Sequence, residues 1–286
     1  MGSSRGPQDP AEMAKTLGDL KIGILFSIGG DGTLRGAQKI AEEGTRQGMA
    51  LSVIGIPKTI DNDISFIQKA FGFETAVEAR RAIYAANTEA EAARNGIGLV
   101  KLMGRDSGFI AAFSALVDSQ ANFCLVPEVP FTLERFLAEL QCRLERRVHA
   151  VIVVAEGAGQ DLIKRTAGHD ASGNIRYGDL GTFLRNAIKE YFKQTGTEIN
   201  IKYIDPSYTI PSVPANPHDS AFCLLLGHSA VHAGMSGRTN MVVGFWNHQF
   251  TQVPIVLAAS QRKKMDPEGI LWNSVLASTG QPWDMR

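Results

Sequence analysis

Residues 22–34 read IGILFSIGGDGTL, a β-branched apolar run that closes on paired glycines and an acid before a helical pattern starts near Leu34. A run of this length fits a buried strand, and residues 34–46 fit the helix that follows it. The same alternation recurs along the chain. Strand-like runs stand at 52–56, 97–103, 123–126, 150–155, 199–203 and 241–245, with helical stretches at 74–93, 108–118, 133–147, 182–195 and 220–233. Each stretch is long enough to cross over a sheet, which predicts an α/β fold with doubly wound, mainly parallel sheets. In such sheets ligands bind beyond the carboxyl ends of the strands. The residues just after each run are therefore the candidate site.

Composition bounds the rest. The chain has 286 residues, 29 Lys+Arg against 29 Asp+Glu, 44% hydrophobic residues and a mean hydropathy of −0.05, which excludes disorder and fibre. Its size suits two modest domains crossed by the chain more than once. Zero net charge gives no global field for polyanions, so neither nucleic acid nor an anionic membrane is an expected partner. The opening MGSSRGPQDPAEM carries no apolar signal segment and no run is long enough for a membrane span. A soluble, cytoplasmic protein is expected. Cys124, Cys142 and Cys223 are odd in number and unclustered, so free buried thiols are expected rather than disulfides.

Four motifs follow strands. In Gly29-Gly30-Asp31-Gly32-Thr33 the glycines let backbone approach a phosphate, and the next helix offers unpaired N–H groups. Asp31 suits an anion site only with a cation such as Mg²⁺ shared with the phosphate oxygens. The same residues also serve a plain capped turn. Pro57-Lys58-Thr59-Ile60-Asp61-Asn62-Asp63 puts two carboxylates, an amide, a hydroxyl and an ammonium in one loop. If extended, it turns Asp61 and Asp63 to one side, one as base and one as its support; an Asx-type turn is the other reading. Met103-Gly104-Arg105-Asp106-Ser107-Gly108 offers a forked donor for a sugar phosphate, or an Arg that merely pairs with Asp106. Ala155-Glu156-Gly157-Ala158-Gly159 isolates Glu156 among small residues, as an acceptor for sugar hydroxyls or as an ordinary strand-end acid. His228 and His232 have the spacing of metal ligands but lack the Glu that would follow, so they are not read as a site. Arg262-Lys263-Lys264 reads as a solvated stretch that could still meet a phosphate.

GGDGT, PKTIDND, MGRDSG and AEGAG, in this order and each after an expected strand, together resemble the phosphofructokinase family. PSYTIPSVPAN and the C-terminal DPEGILWNSVLASTGQP resemble the branch shared by plant, trypanosomatid and many bacterial enzymes. The resemblance implies transfer of a phosphoryl group to O1 of fructose 6-phosphate, in glycolysis, by a homo-oligomer. Asp61 would be the general base, with Thr59 and Asp63 beside it as catalytic residues. Thr59, Ile60, Asp61, Met103, Gly104, Arg105, Glu156 and Tyr208 would contact fructose 6-phosphate. Gly30, Asp31, Gly32, Thr33 and Lys58, with Arg5 and Gly6 of an opening GS-x-RG segment, would lie at the donor, and Asp31 near Mg²⁺. Gly32 together with Lys58 resembles the ATP-using members, so ATP is the expected donor and pyrophosphate the alternative. Other kinases that share GGDGT lack PKTIDND followed by MGR.

On the same resemblance the fold is two Rossmann-like domains. Residues 1–73 plus about 211–247 would bind the donor, and 74–210 plus about 248–286 the sugar phosphate. The family's opening strand and Gly-rich loop, resembling GGDxPGxN, have no counterpart here, so the first domain is expected to be N-terminally truncated. Pro211 stands where the family has an Arg for the sugar phosphate, and proline brings no charge. A catalytically weak sugar-phosphate-binding subunit is the alternative these departures raise. Pro217 is expected to reshape the same loop.

Overall fold

The computed structural model describes residues 8–163, 168, 177–207 and 209–286. In chain order the elements are α1 (Pro10–Asp19), β1 (Ile24–Gly29), α2 (Asp31–Arg46), β2 (Ser52–Pro57), α3 (Phe73–Ala76), α4 (Arg80–Glu91), β3 (Gly96–Leu102), α5 (Phe109–Asp118), β4 (Phe123–Leu125) and α6 (Leu133–Arg146). There follow β5 (His149–Ala155), α7 (Leu180–Gln194), β6 (Asn200–Ile204), α8 (Pro217–Met235), β7 (Met241–Trp246), β8 (Gln249–Pro254), α9 (Ile255–Ala258) and α10 (Ile270–Thr279). They form two compact units. The first joins the described residues up to Thr75 with Ala215–Lys263, and the second runs from Ala76 to Pro214 and resumes at Lys264–Arg286.

The first unit holds a sheet of order β1-β2-β7-β8. β1, β2 and β7 are parallel, and β8 returns antiparallel through a tight turn at Asn247 and His248, both in the left-handed region (φ 46° and 62°). β2 is buried along its whole length because helices cover both its faces. Leu34, Ala37 and Ile40 of α2 pack with Val53 and Val242 on one face, and Phe222, Leu226 and Ala230 of α8 pack with Ile54 and Met241 on the other. Leu34 is wholly buried, so Leu34→Ala would cost about 2–5 kcal/mol.

The second unit holds a fully parallel sheet of order β4-β5-β3-β6. Ile97, Leu99, Ile152 and Val154 pack against Phe136 and Leu140 of α6 and Leu184 and Ile188 of α7. α4 lies against β3 so closely that a Cβ at Gly98 would sit 2.8 Å from the carbonyl oxygen of Ala86. No helix among the described residues is long and apolar enough to cross a membrane.

Several expectations are corrected. The chain returns to the second unit after Lys263, not near 247, because β8 completes a hairpin with β7 and α9 packs on α2. The single helix expected over 74–93 is divided into α3, a 3₁₀ turn at Val77–Ala79 and α4. Pro217 distorts nothing: it is the first residue of α8, where its missing N–H goes unused, behind the Asn216 N-cap. Cys124 is buried and its thiol pushed up by desolvation, whereas Cys142 is exposed.

Candidate functional site

In the first unit the register pairs Gly29 with Pro57, so the GGDGT and PKTIDND segments leave their strands side by side. The Lys58 amide donates to Gly29 O at 3.0 Å and keeps them together. The helix begins at Asp31, not near Leu34, so Asp31, Gly32 and Thr33 form the first turn of α2 with Gly30 as N-cap. Gly30 has no side chain to cap with, and the first helical bond is the Leu34 amide to Gly30 O at 3.1 Å. The amides of residues 31–33 therefore bond to nothing within the helix, the arrangement that suits an anion.

The PKTIDND loop is a turn rather than an extended segment. Asn62 is left-handed at φ 52°, and its buried side chain accepts from the Ala70 amide at 2.9 Å and donates to Gln68 O at 3.2 Å. Asn62 is thus the scaffold of the turn, a conformation Asn tolerates better than most residues. Thr59 Oγ1 accepts from the Asp61 amide at 3.2 Å and donates to Asp63 Oδ1 at 3.3 Å. Asp61 and Ile60 are half-buried, Asp63 is buried and Lys58 is exposed. Desolvation raises the Asp63 carboxyl above the usual carboxylate range, opposed chiefly by Arg262.

In the second unit the parallel register sets Leu102 beside Ala155, so Met103–Arg105 and Glu156 emerge from neighbouring strand ends. The Glu156 amide donates to Leu102 O at 2.9 Å and the Gly157 amide to Gly104 O at 3.1 Å. Two glycines make this possible. Gly104 sits at φ 129°, and a Cβ at Gly157 would lie 1.7 Å from the carbonyl oxygen of Arg105. The Arg105 guanidinium lies 5.3 Å from the centre of the Tyr177 ring, whose hydroxyl donates to Asp106 at 2.8 Å. Burial raises the Glu156 carboxyl, and Arg105 and Lys101 pull it back. Lys101 in turn pairs with Asp205 at 2.7 Å. The N-terminus of α5, just after this loop, is already taken: Glu128 accepts the Gly108 amide with both oxygens at 3.0 Å.

A family model described as phosphofructokinase matches residues 1–234. This chain belongs to the phosphofructokinase family. Among its phosphofructokinase relatives, the ATP-dependent 6-phosphofructokinase of Borreliella burgdorferi is 49% identical over 297 residues, and that of Trypanosoma cruzi 49% over 279. The ATP-dependent 6-phosphofructokinase 5, chloroplastic, of Arabidopsis thaliana is 44% identical over 286. The matches cover 100%, 96% and 99% of this chain, which spans 66%, 58% and 53% of those proteins' own lengths. Among solved structures, the pyrophosphate-dependent phosphofructokinase of Marinobacter aquaeolei superposes with a TM-score of 0.77 at 21% identity, over 97% of this chain and 72% of that one. At that identity the likeness shows the phosphofructokinase fold.

Arg5, Gly6 and Tyr208 lie outside the described residues, and Pro211 lies in a short 3₁₀ turn at Ile210–Ser212. Among the described residues no group of three His, Cys, Asp or Glu side chains could hold a metal. Asp31 alone, on the first turn of a helix whose amides face outward, fits a Mg²⁺ that takes the rest of its oxygens from phosphate and water. One group beside these carboxylates escaped the sequence reading. Arg262 and Lys263 are half-buried and engaged rather than free in solvent: Arg262 lies 3.8 Å from both Asp31 and Asp63, and Lys263 Nζ donates to Ile67 O at 2.7 Å. Nothing in an Arg-Lys-Lys string distinguishes such residues from a surface stretch.

Proposed function

We propose that this chain transfers the terminal phosphoryl group of ATP to O1 of fructose 6-phosphate, giving fructose 1,6-bisphosphate. The observation that carries the proposal is the Thr59–Asp61–Asp63 turn fixed beside the first turn of α2, in a chain 44–49% identical to proteins named ATP-dependent 6-phosphofructokinases. On this reading the first unit is the donor half and the second the sugar-phosphate half. The same reading takes Mg²⁺ as the cation and a cytoplasmic homo-oligomer as the assembly.

Asp61 accepts the proton of the O1 hydroxyl as the O1–P bond forms and the bond from phosphorus to the bridging oxygen of ADP breaks. Thr59 holds the Asp61 amide and the Asp63 carboxylate, so the base keeps its direction while substrate comes and goes. The open amides of residues 31–33 and Lys58 receive the donor's negative charge. Mg²⁺, when bound near Asp31, would neutralise charge spread over the phosphate oxygens. Arg105 supplies a forked cation for the sugar phosphate, and Glu156 an acceptor for its hydroxyls.

The test is a coupled assay of the 286-residue chain on fructose 6-phosphate with Mg²⁺ and either ATP or pyrophosphate, alongside Asp61→Ala. A general base contributes about 10²–10⁴ in rate, so Asp61→Ala should lose turnover on that scale while fructose 6-phosphate binding, read by calorimetry, changes little. Equal loss of binding and turnover overturns the assignment of the base. Turnover with pyrophosphate alone overturns the assignment of the donor.

A further inference from the structure

The segment after α9 is woven into the carboxylate turn. Arg262 forms an antiparallel bridge with Ile64, the Lys263 amide donates to Asp63 O at 2.7 Å, and the Ser65 hydroxyl donates to Gln261 O at 2.8 Å. Lys263 Nζ adds bonds to Ile67 O at 2.7 Å and Gln68 O at 3.2 Å. Backbone held this firmly aims one guanidinium at two carboxylates from different elements. Arg262 Nε lies 3.8 Å from Oδ2 of Asp31, on α2, and 3.8 Å from Oδ2 of Asp63, in the turn after β2. Arg35 holds the other oxygen of Asp31 at 2.8 Å, along the helix. The Asp31 and Asp63 side chains are only 20% and 10% exposed, so solvent screens this arrangement less than a surface pair.

We propose that Arg262 is a positioning residue that stands in for the donor's cation. It holds the negative charge of Asp31 and Asp63 in place before the donor arrives, and a divalent ion reaching Asp31 does so against its charge. The inference rests on the reading of Asp31 as the residue nearest Mg²⁺. It assigns Arg262 a cost in metal affinity and a gain in order: a weaker resident ion leaves more readily with product, while the two carboxylates do not splay apart when the site is empty.

The probe is Mn²⁺, a hard ion with the same preference for oxygen, titrated into the full chain without nucleotide or sugar and followed by the resonance of the free ion. With one positive charge removed near Asp31, Arg262→Gln should bind Mn²⁺ about five- to tenfold more tightly. Arg262→Lys, which keeps the charge, should bind it as the unaltered chain does. Asp31→Asn should weaken binding in every background. Unchanged or weaker binding by Arg262→Gln, with Asp31→Asn still weakening it, overturns the role of Arg262 and leaves the reading of Asp31 standing. Tight binding by Arg262→Lys also overturns it, and no effect of Asp31→Asn overturns both.

Discussion

Asp219 holds Thr75 twice: one carboxylate oxygen accepts the Thr75 amide at 2.7 Å and the Thr75 hydroxyl at 2.6 Å. The Thr75 hydroxyl oxygen accepts from the Asn216 amide at 3.1 Å, and Asn216 caps α8 through the Asp219 amide at 2.8 Å. Thr75 and Ala215 are where the chain leaves and re-enters the first unit, so a single buried carboxylate pins both places. Asp219→Ala would leave two buried donors without an acceptor and should cost about 3 kcal/mol. Urea denaturation measures it, and a cost below about 1 kcal/mol would show that the pin is redundant.

Gly157→Ala tests the coupling between the two strand ends of the second unit. The added methyl would meet the carbonyl oxygen of Arg105 at 1.7 Å, so the 103–107 loop must shift. A displacement of this size can cost up to about a hundredfold in a positioned reaction, and the KM for fructose 6-phosphate should rise with far-ultraviolet circular dichroism unchanged. Gly36→Ala is the control. It faces open space inside α2 and should stabilise by up to about 1 kcal/mol. An unaltered KM in Gly157→Ala would remove Arg105 from the sugar-phosphate contacts.

Burial pushes the Lys263 ammonium down to about 8 from an ordinary value of 10.5. Between those values the unfolded chain binds more protons than the folded one, so the stability this lysine contributes rises with pH across that interval. Below about pH 8 the cost of burying the charge is carried in full. Relative to Lys263→Met, the unaltered chain should gain stability between pH 7.5 and 10, roughly the span bounded by the two values. A difference that stays flat across that range would place the ammonium in contact with water.

Glu156 has the opposite sign of behaviour. Its carboxyl is raised by burial, so the folded state keeps a proton that the unfolded state has lost, and stability falls as pH rises through that window. Glu156→Gln should therefore stabilise at neutral pH, where the folded chain carries the cost of burying the charge. The advantage should vanish below roughly pH 4, where both states are protonated. Calorimetric melting at the two pH values checks this, and equal gains at both would assign the effect to packing.

The sequence shows the alternating skeleton because seven strands stand out as short β-rich runs, near-continuous in apolar residues where both faces are covered, as in β2, β3 and β5. It hides β8, whose QFTQVP is half polar because that strand lies at the sheet edge. α1 carries its own start signals, the Asp9 cap and Pro10, in a stretch easily read as a frayed end. The order GGDGT, PKTIDND, MGRDSG, AEGAG is legible, since each follows a strand. The geometry inside them is not. Spacing alone gives Asp61 and Asp63 a common side, but the left-handed Asn62 turns the chain between them. Arg262 stays hidden because its partners are distant in sequence.

β2 pairs with β7 at Ile54↔Met241 and Gly55↔Val242, whereas every pairing of the second sheet falls between Gly96 and Ile204. During synthesis the second sheet therefore has all its strands in hand while the first still lacks its third. The first sheet must keep β1 and β2 waiting across a long loop, and closing such loops slows folding. The hairpin of β7 and β8 then arrives as a ready local pair. The Asp61 turn, framed by residues 261–263, cannot be completed until those residues have been made.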